Sequence, residues 1–323
     1  MSTQTAPTPR PHGGAEATTT FDLRGRNVLL ASDGSAAANA ASRLAFDLAE
    51  RRGVVISVIS VMDTRSAPMP PPLGLMVAIA DASVGDRVHA DHVEAARVVV
   101  EAAVGEAVDW PVRVALGTPA AVIVREARRL RASLVIVGLR RHGRVDRTLQ
   151  DETALEVMRR AECPVIGVAA SMQALPTRAL AAMDFSRSSF VAARAARAVM
   201  GERSRMVLAY APPISYALSD DGEALVHALG VEAAFARCRA ELGEEGATID
   251  QVVLHREVAT PISAALLEYA DAVQCGLIAA GSARHGRIER WTMGSVSTEL
   301  VRDGRHSVLV VPPRRRIRKA ASR

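Results

Sequence analysis

The chain has 323 residues, 49% hydrophobic and only 3% aromatic, which is length enough for two ordinary domains with cores of Ala, Val, Leu and Ile. So few aromatics argue against a stacking platform for single-stranded nucleic acid. The net charge of +5 sits in one place: Arg314, Arg315, Arg316, Arg318, Lys319 and Arg323 carry six positive charges, and without them the balance is about −1. A basic tail is not a basic face, so nucleic acid is not an expected partner.

Residues 1–22 are rich in Ala, Thr, Pro and Gly without periodicity and read as a disordered tail. They lack the basic start and apolar stretch of a signal peptide. A short apolar run at 27–32 reads as a buried strand, followed by helical spacing over 36–51 and a second strand over 54–61. A long helix-prone region covers 77–104, and a third strand covers 111–116. Thr118 opens a helix to 130 with Pro119 at its first position, where proline is tolerated. A fourth strand (133–137) ends at Gly138; a helix (153–160) and a fifth strand (164–168) follow.

The order then repeats: strands at 178–183, 206–210, 251–256, 277–280 and 307–311, with helices at 187–200, 221–242, 261–270 and 295–302 between them. The loops after the two fourth strands nearly recur as well, GLRRHGRVDR from Gly138 and GSARHGRIER from Gly281. Asp33 matches Asp184, and Gly117-Thr118-Pro119 matches Ala259-Thr260-Pro261. A tandem duplication is the simplest account. Strands that are continuously apolar and alternate with helices imply a parallel sheet covered on both faces. The expected fold is therefore α/β: two tandem doubly wound, Rossmann-like domains, each an open, mainly parallel five-stranded sheet. The expected layout is domain 1 over 23–170, a linker over 171–177, domain 2 over 178–313 and a basic tail over 314–323.

In such sheets ligands bind beyond the carboxyl ends of the strands, where strand order reverses. Asp184, Gly281 and Gly294-Ser295 converge there in domain 2. A helix opening on Gly-Ser offers free N–H groups and a partial positive charge to an anion, or is simply an ordinary N-cap. Domain 1 has Asp151-Glu152 in register with Gly294-Ser295. A carboxylate ~4 Å from a phosphate oxygen costs about 4 kcal/mol at an effective dielectric of ~20, so domain 1 is expected to bind no triphosphate. His142 and His285, each in a recurring loop, are candidates for acid, base or phosphate contact, or are exposed loop histidines. No G-x-S-x-G or Cys-His arrangement accompanies them. Asp86, His89, Asp91 and His92 have a helical spacing that suits a metal or a solvated face; no metal site is expected. Lys319 is the only lysine, which excludes a P-loop or Schiff-base lysine from the folded part. Cys163, Cys238 and Cys275 form no C-x-x-C pair and read as small buried apolar residues. No apolar run reaches the ~18 residues of a membrane span, so the expected location is cytoplasmic.

With Asp184 after the first strand, Gly281 after the fourth and Gly294-Ser295 at the next helix, the chain resembles a tandem member of the universal stress protein family. That family carries an Asp after strand one and a Gly-x2-Gly-x9-Gly-[Ser/Thr] loop after strand four, used by its ATP-binding members. The resemblance implies a stress-response protein holding ATP or a related adenine nucleotide, with or without Mg2+, in domain 2. Its implied contacts are Asp184, Ala211, Gly281, Arg284, His285, Gly294, Ser295 and Val296. Arg284 stands where the family has its second glycine, as a charge for a phosphate or as a surface arginine. Domain 1 keeps a degenerate set, Asp33, Val61, Gly138 and Arg141, and would be structural or regulatory. Family members pair through the last strand, which implies pairing of the two domains within one chain; a homodimer is the other assembly the resemblance allows. The alternatives are a nucleotide-free interaction module and a slow ATP hydrolase with His285 as base; no catalytic residue is otherwise assigned.

Overall fold

The computed structural model describes residues 21–64, 82–139, 153–201, 204–213, 221–242, 248–282 and 293–312. The first repeat contains β1 (Asn27–Ala31), α1 (Ala36–Arg52), β2 (Val55–Asp63), α2 (Ala82–Val104), β3 (Val112–Gly117), α3 (Pro119–Arg129), β4 (Leu134–Leu139), α4 (Thr153–Arg160) and β5 (Val165–Ala169). The second contains β6 (Arg178–Met183), α5 (Arg187–Met200), β7 (Arg205–Tyr210), α6 (Asp221–Leu242), β8 (Thr248–Val253), α7 (Ile262–Ala272), β9 (Leu277–Gly281), α8 (Ser295–Asp303) and β10 (Ser307–Val311). The largest departure from expectation is β8, which starts three residues before the predicted 251. It is an edge strand with mixed exposure, and its Thr-Ile-Asp-Gln half has no continuous apolar run.

The two predicted five-stranded sheets are halves of one ten-stranded sheet, in the order β3-β2-β1-β4-β5-β10-β9-β6-β7-β8. All neighbours described are parallel except β5 and β10, which join the halves antiparallel with Ile166 opposite Leu309. Both junction strands are buried along their whole length because each lies mid-sheet beneath helices on both faces. The Ser307 hydroxyl accepts from Ala169 N at 3.0 Å and contacts Met172 Sδ at 3.6 Å, where the chain leaves the first repeat.

One core runs beneath α1, α2, α5 and α6, and a second beneath α3, α4, α7 and α8; each contains residues of both repeats. Two contacts tie the repeats at the first face. Leu175 N donates to Asp47 Oδ2 at 2.6 Å. Gly201, at φ +97°, ends α5 against the Arg52 guanidinium, and a Cβ there would fall 1.4 Å from Nη2. The Arg52 tip could move aside, but that φ strains any L side chain and favours glycine.

A charged clamp fixes the outer edge of the first repeat. Glu126 on α3, its side chain 6% exposed, accepts from Arg113 Nη1 at 2.6 Å and from Arg129 Nη2 at 2.7 Å. Burial by itself would raise the Glu126 carboxyl, but the Arg129 and Arg113 guanidiniums outweigh it and hold the group below its ordinary value near 4.5. A depressed folded value contributes stability above the unfolded value and loses it as pH falls through the folded one. Glu126→Gln is therefore expected to be less stable by about 1–3 kcal/mol at neutral pH. Urea midpoints across pH 3–7 should show a wild-type excess above about pH 4.5 that shrinks on acidification. A constant difference across that range would show that the ion pairs are not its source.

Candidate functional site

Strand order reverses between β9 and β6, so the carboxyl ends of those strands flank the crevice of the second repeat. Beyond β6 the chain turns through Asp184-Phe185-Ser186. Asp184 Oδ1 accepts from Ser186 N at 2.9 Å, and Ser186 Oγ caps α5 by accepting from Ser189 N at 3.3 Å. Phe185 takes φ +57°, a costly value for a bulky residue. Aromatic packing offsets the cost: its ring centroid lies 4.9 Å from Tyr210 and 5.0 Å from the fully buried Phe235. The first repeat builds the same turn from Asp33-Gly34-Ser35, with Asp33 Oδ1 accepting from Ser35 N at 3.0 Å and Gly34 at φ +73°. Both aspartates are exposed.

Gly281 ends β9 for a packing reason. A Cβ there would lie 2.3 Å from the carbonyl carbon of Ser188 and 2.5 Å from Ser189 N, so the strand end presses on the backbone of α5. Gly138 does the same in the first repeat, where a Cβ would lie 2.7 Å from the Ala37 carbonyl carbon. Glycine at this point lets helix and strand close, whatever else the site holds.

Gly294 is different. It caps α8 without a side-chain hydrogen bond, and a Cβ on it would meet no atom of the described residues within 4 Å. Ser295 is exposed, and Val296 packs partly buried against the second core. The buried Ser297, which sequence reasoning missed, donates to Gly281 O at 3.4 Å and so holds the α8 N-terminus beside the end of β9. Its only sequence signal is a second serine two residues after Ser295. Ala211, just past β7, is buried in the second core, and Val61 of the first repeat packs against that same core.

The structure thus places Asp184 at the end of β6, Ala211 at the end of β7 and Gly281 at the end of β9, with Gly294, Ser295 and Val296 in the first turn of α8, which Ser297 ties to Gly281. Arg284, His285, Arg141, His142, Asp151 and Glu152 lie outside the described residues. A further residue the sequence did not mark is Arg256, which donates to Thr260 O at 2.7 Å and Pro212 O at 3.5 Å, joining the β7 exit to the entry of α7.

Other candidate chemistry is sparse among the described residues. His89, Asp91 and His92 are exposed, and no group of three or more His, Cys, Asp or Glu is placed to hold a metal ion. Burial pushes the Cys163 thiol up to about 12 and those of Cys238 and Cys275 to about 11, so none is a ready thiolate. Cys163 is half-buried rather than fully buried. No described helix is long and apolar enough to cross a membrane.

The model of the universal stress protein family matches residues 25–168 and again 177–312. The chain belongs to that family, as a tandem of two repeats. Among solved structures, a universal stress protein from Archaeoglobus fulgidus is similar over 90% of this chain and 98% of its own, at 19% identity and a TM-score of 0.60. A Pseudomonas aeruginosa protein of unknown function is similar over 92% and 95%, at 14% identity and a TM-score of 0.55. At these identities the likeness is one of fold, and it extends across both repeats. No curated protein matches the sequence.

Proposed function

We propose that the second repeat binds ATP or a related adenine nucleotide in the crevice between β6 and β9, while the first repeat serves structure or regulation. The observation that carries this reading is the N-terminus of α8. Among the described residues no side chain caps it and no atom lies within 4 Å of where a Gly294 Cβ would be, and Ser297 ties it to the strand end beside Asp184. Free N–H groups and the helix dipole suit a phosphate there. The exposed Asp184 carboxylate suits a ribose or base donor. Gly294-Ser295 completes the last pair of the family's nucleotide motif.

Titration of the full chain with Mg-ATP is expected to show one site, lost in Gly294→Asp. A carboxylate ~4 Å from a phosphate costs about 4 kcal/mol at a dielectric of ~20, roughly a thousandfold in affinity. The competing reading, a nucleotide-free interaction module, is favoured by one observation: Gly281 is already required by packing and Asp184 already serves its own turn. Absence of binding heat, with no nucleotide released on denaturing the purified protein, would decide for it.

A further inference from the structure

His306 stands at the joint between the two repeats. Continuing the register of Val308 opposite Gly167 places it across from Ala169, where β5 ends. Its chain neighbours both touch the first repeat: Ser307 Oγ accepts from Ala169 N at 3.0 Å, and Arg305 O accepts from Ser171 Oγ at 3.5 Å. The imidazole is 8% exposed. Nε2 lies 3.1 Å from Asp271 Oδ1 in the last turn of α7, so the neutral ring carries its proton there and donates to the carboxylate. Nδ1 is buried and has no hydrogen-bond partner among the described residues.

Asp271 faces the ring from α7, and Asp303 and Arg305 face it from the end of α8 and the turn after it. Arg305 binds both carboxylates, Asp271 Oδ2 at 2.8 Å and Asp303 Oδ2 at 2.9 Å, so part of their charge is already matched. Arg178 of β6 reaches the turn after α7 and donates to Val273 O. On the side of the first repeat, 169–177 contains no charged residue. A proton added at Nδ1 therefore makes a buried cation whose new N–H finds no acceptor among the described residues. Burial holds the imidazole below its ordinary value near 6.5 against the pull of Asp271 and Asp303, and Arg305 adds to the effect. The first repeat has Cys163 at the matching place, before Pro164-Val165-Ile166 as His306 is before Ser307-Val308-Leu309. Burial pushes that thiol up to about 12, so it stays neutral where an imidazole titrates.

We propose that His306 is an acid-sensitive latch on this joint: neutral, it holds the entry of β10 against the exit of β5, and protonated at Nδ1 it releases that end. The latch is independent of nucleotide binding. A folded value below the unfolded one gives stability that is present above about pH 6.5 and lost as pH falls through the folded value. Neutral pH thus keeps the joint closed and mild acid loosens it. The loss begins locally, at the contacts of Ser307 with Ala169 and of Arg305 with Ser171.

The test is amide hydrogen exchange of the full chain and of His306→Gln from about pH 7.5 to about pH 5, corrected for intrinsic rates, with NMR titration of the wild-type imidazole. Glutamine keeps a donor for Asp271 and cannot titrate. In the wild type, protection of the Ala169 amide is expected to fall about tenfold on acidification relative to Val58, whose amide bonds Pro111 O between β2 and the edge strand β3. In His306→Gln that ratio is expected to stay flat. The same pH dependence in both chains would overturn the latch, and so would a His306 midpoint at or above 6.5. If the variant fails to fold, the wild type decides by itself: Ala169 protection must follow the His306 titration, and protection that ignores it overturns the latch.

Discussion

Gly281→Ala is expected to destabilise the chain by about 3 kcal/mol or more, while Gly294→Ala changes stability by no more than about 0.5 kcal/mol. Both positions belong to one motif, yet their surroundings differ. The new Cβ at 281 would sit 2.3 and 2.5 Å from backbone atoms of Ser188 and Ser189. Backbone atoms at the start of a capped helix cannot rotate away as a side-chain tip can. Either α5 lifts from the sheet, which moves Asp184 and its cap, or β9 distorts against β10 and β6. At Gly294 a Cβ meets no atom of the described residues within 4 Å, and φ −59° with ψ 155° is accessible to any residue. Urea unfolding of the two variants checks this contrast. Full stability in Gly281→Ala would show that α5 can yield at low cost and that the glycine answers to a ligand instead. Gly138→Ala should follow in the same direction with a smaller loss, since its nearest backbone contact is 2.7 Å rather than 2.3 Å.

Leu309→Ala is expected to cost about 2–5 kcal/mol and to lower the unfolding midpoint of the whole chain in one transition. Leu309 is fully buried, pairs with Ile166 across the β5–β10 junction, and belongs to the core shared by α1 and α5. A cavity there removes contacts from both repeats at once. Midpoint and slope of urea unfolding, followed separately by circular dichroism and by tryptophan fluorescence, report the outcome. Coincident curves would mark a shared cooperative unit. Two separated steps, with only the second repeat shifted, would show that the repeats hold their stability independently.

Much of the fold was legible because each half is built from local patterns. Continuous apolar runs such as those of β4, β5 and β10 mark strands buried on both faces, and α5 and α6 cover the expected 187–200 and 221–242. The edge strand β8 was displaced because a half-exposed strand carries no unbroken apolar run. Asp184, Gly281 and Gly294 were legible as members of one motif. Their separate physical reasons were not, and neither were Ser297 and Arg256, whose partners are the carbonyls of Gly281, Thr260 and Pro212.

The sequence by itself determined two copies of an alternating strand–helix unit, the residue types offered at each strand end, and the concentration of basic charge after residue 313. Only the tertiary structure decided that the two sheets become one, that a phenylalanine tolerates φ +57° because Tyr210 and Phe235 hold its ring, and that Gly281 is held by helix packing. The reason is separation along the chain. Periodicity and capping act within a few residues, whereas Ala169 meets Ser307 across 138 positions and Asp47 meets Leu175 across 128. No local pattern encodes such pairs; they exist only once the cores on both faces of the sheet have closed.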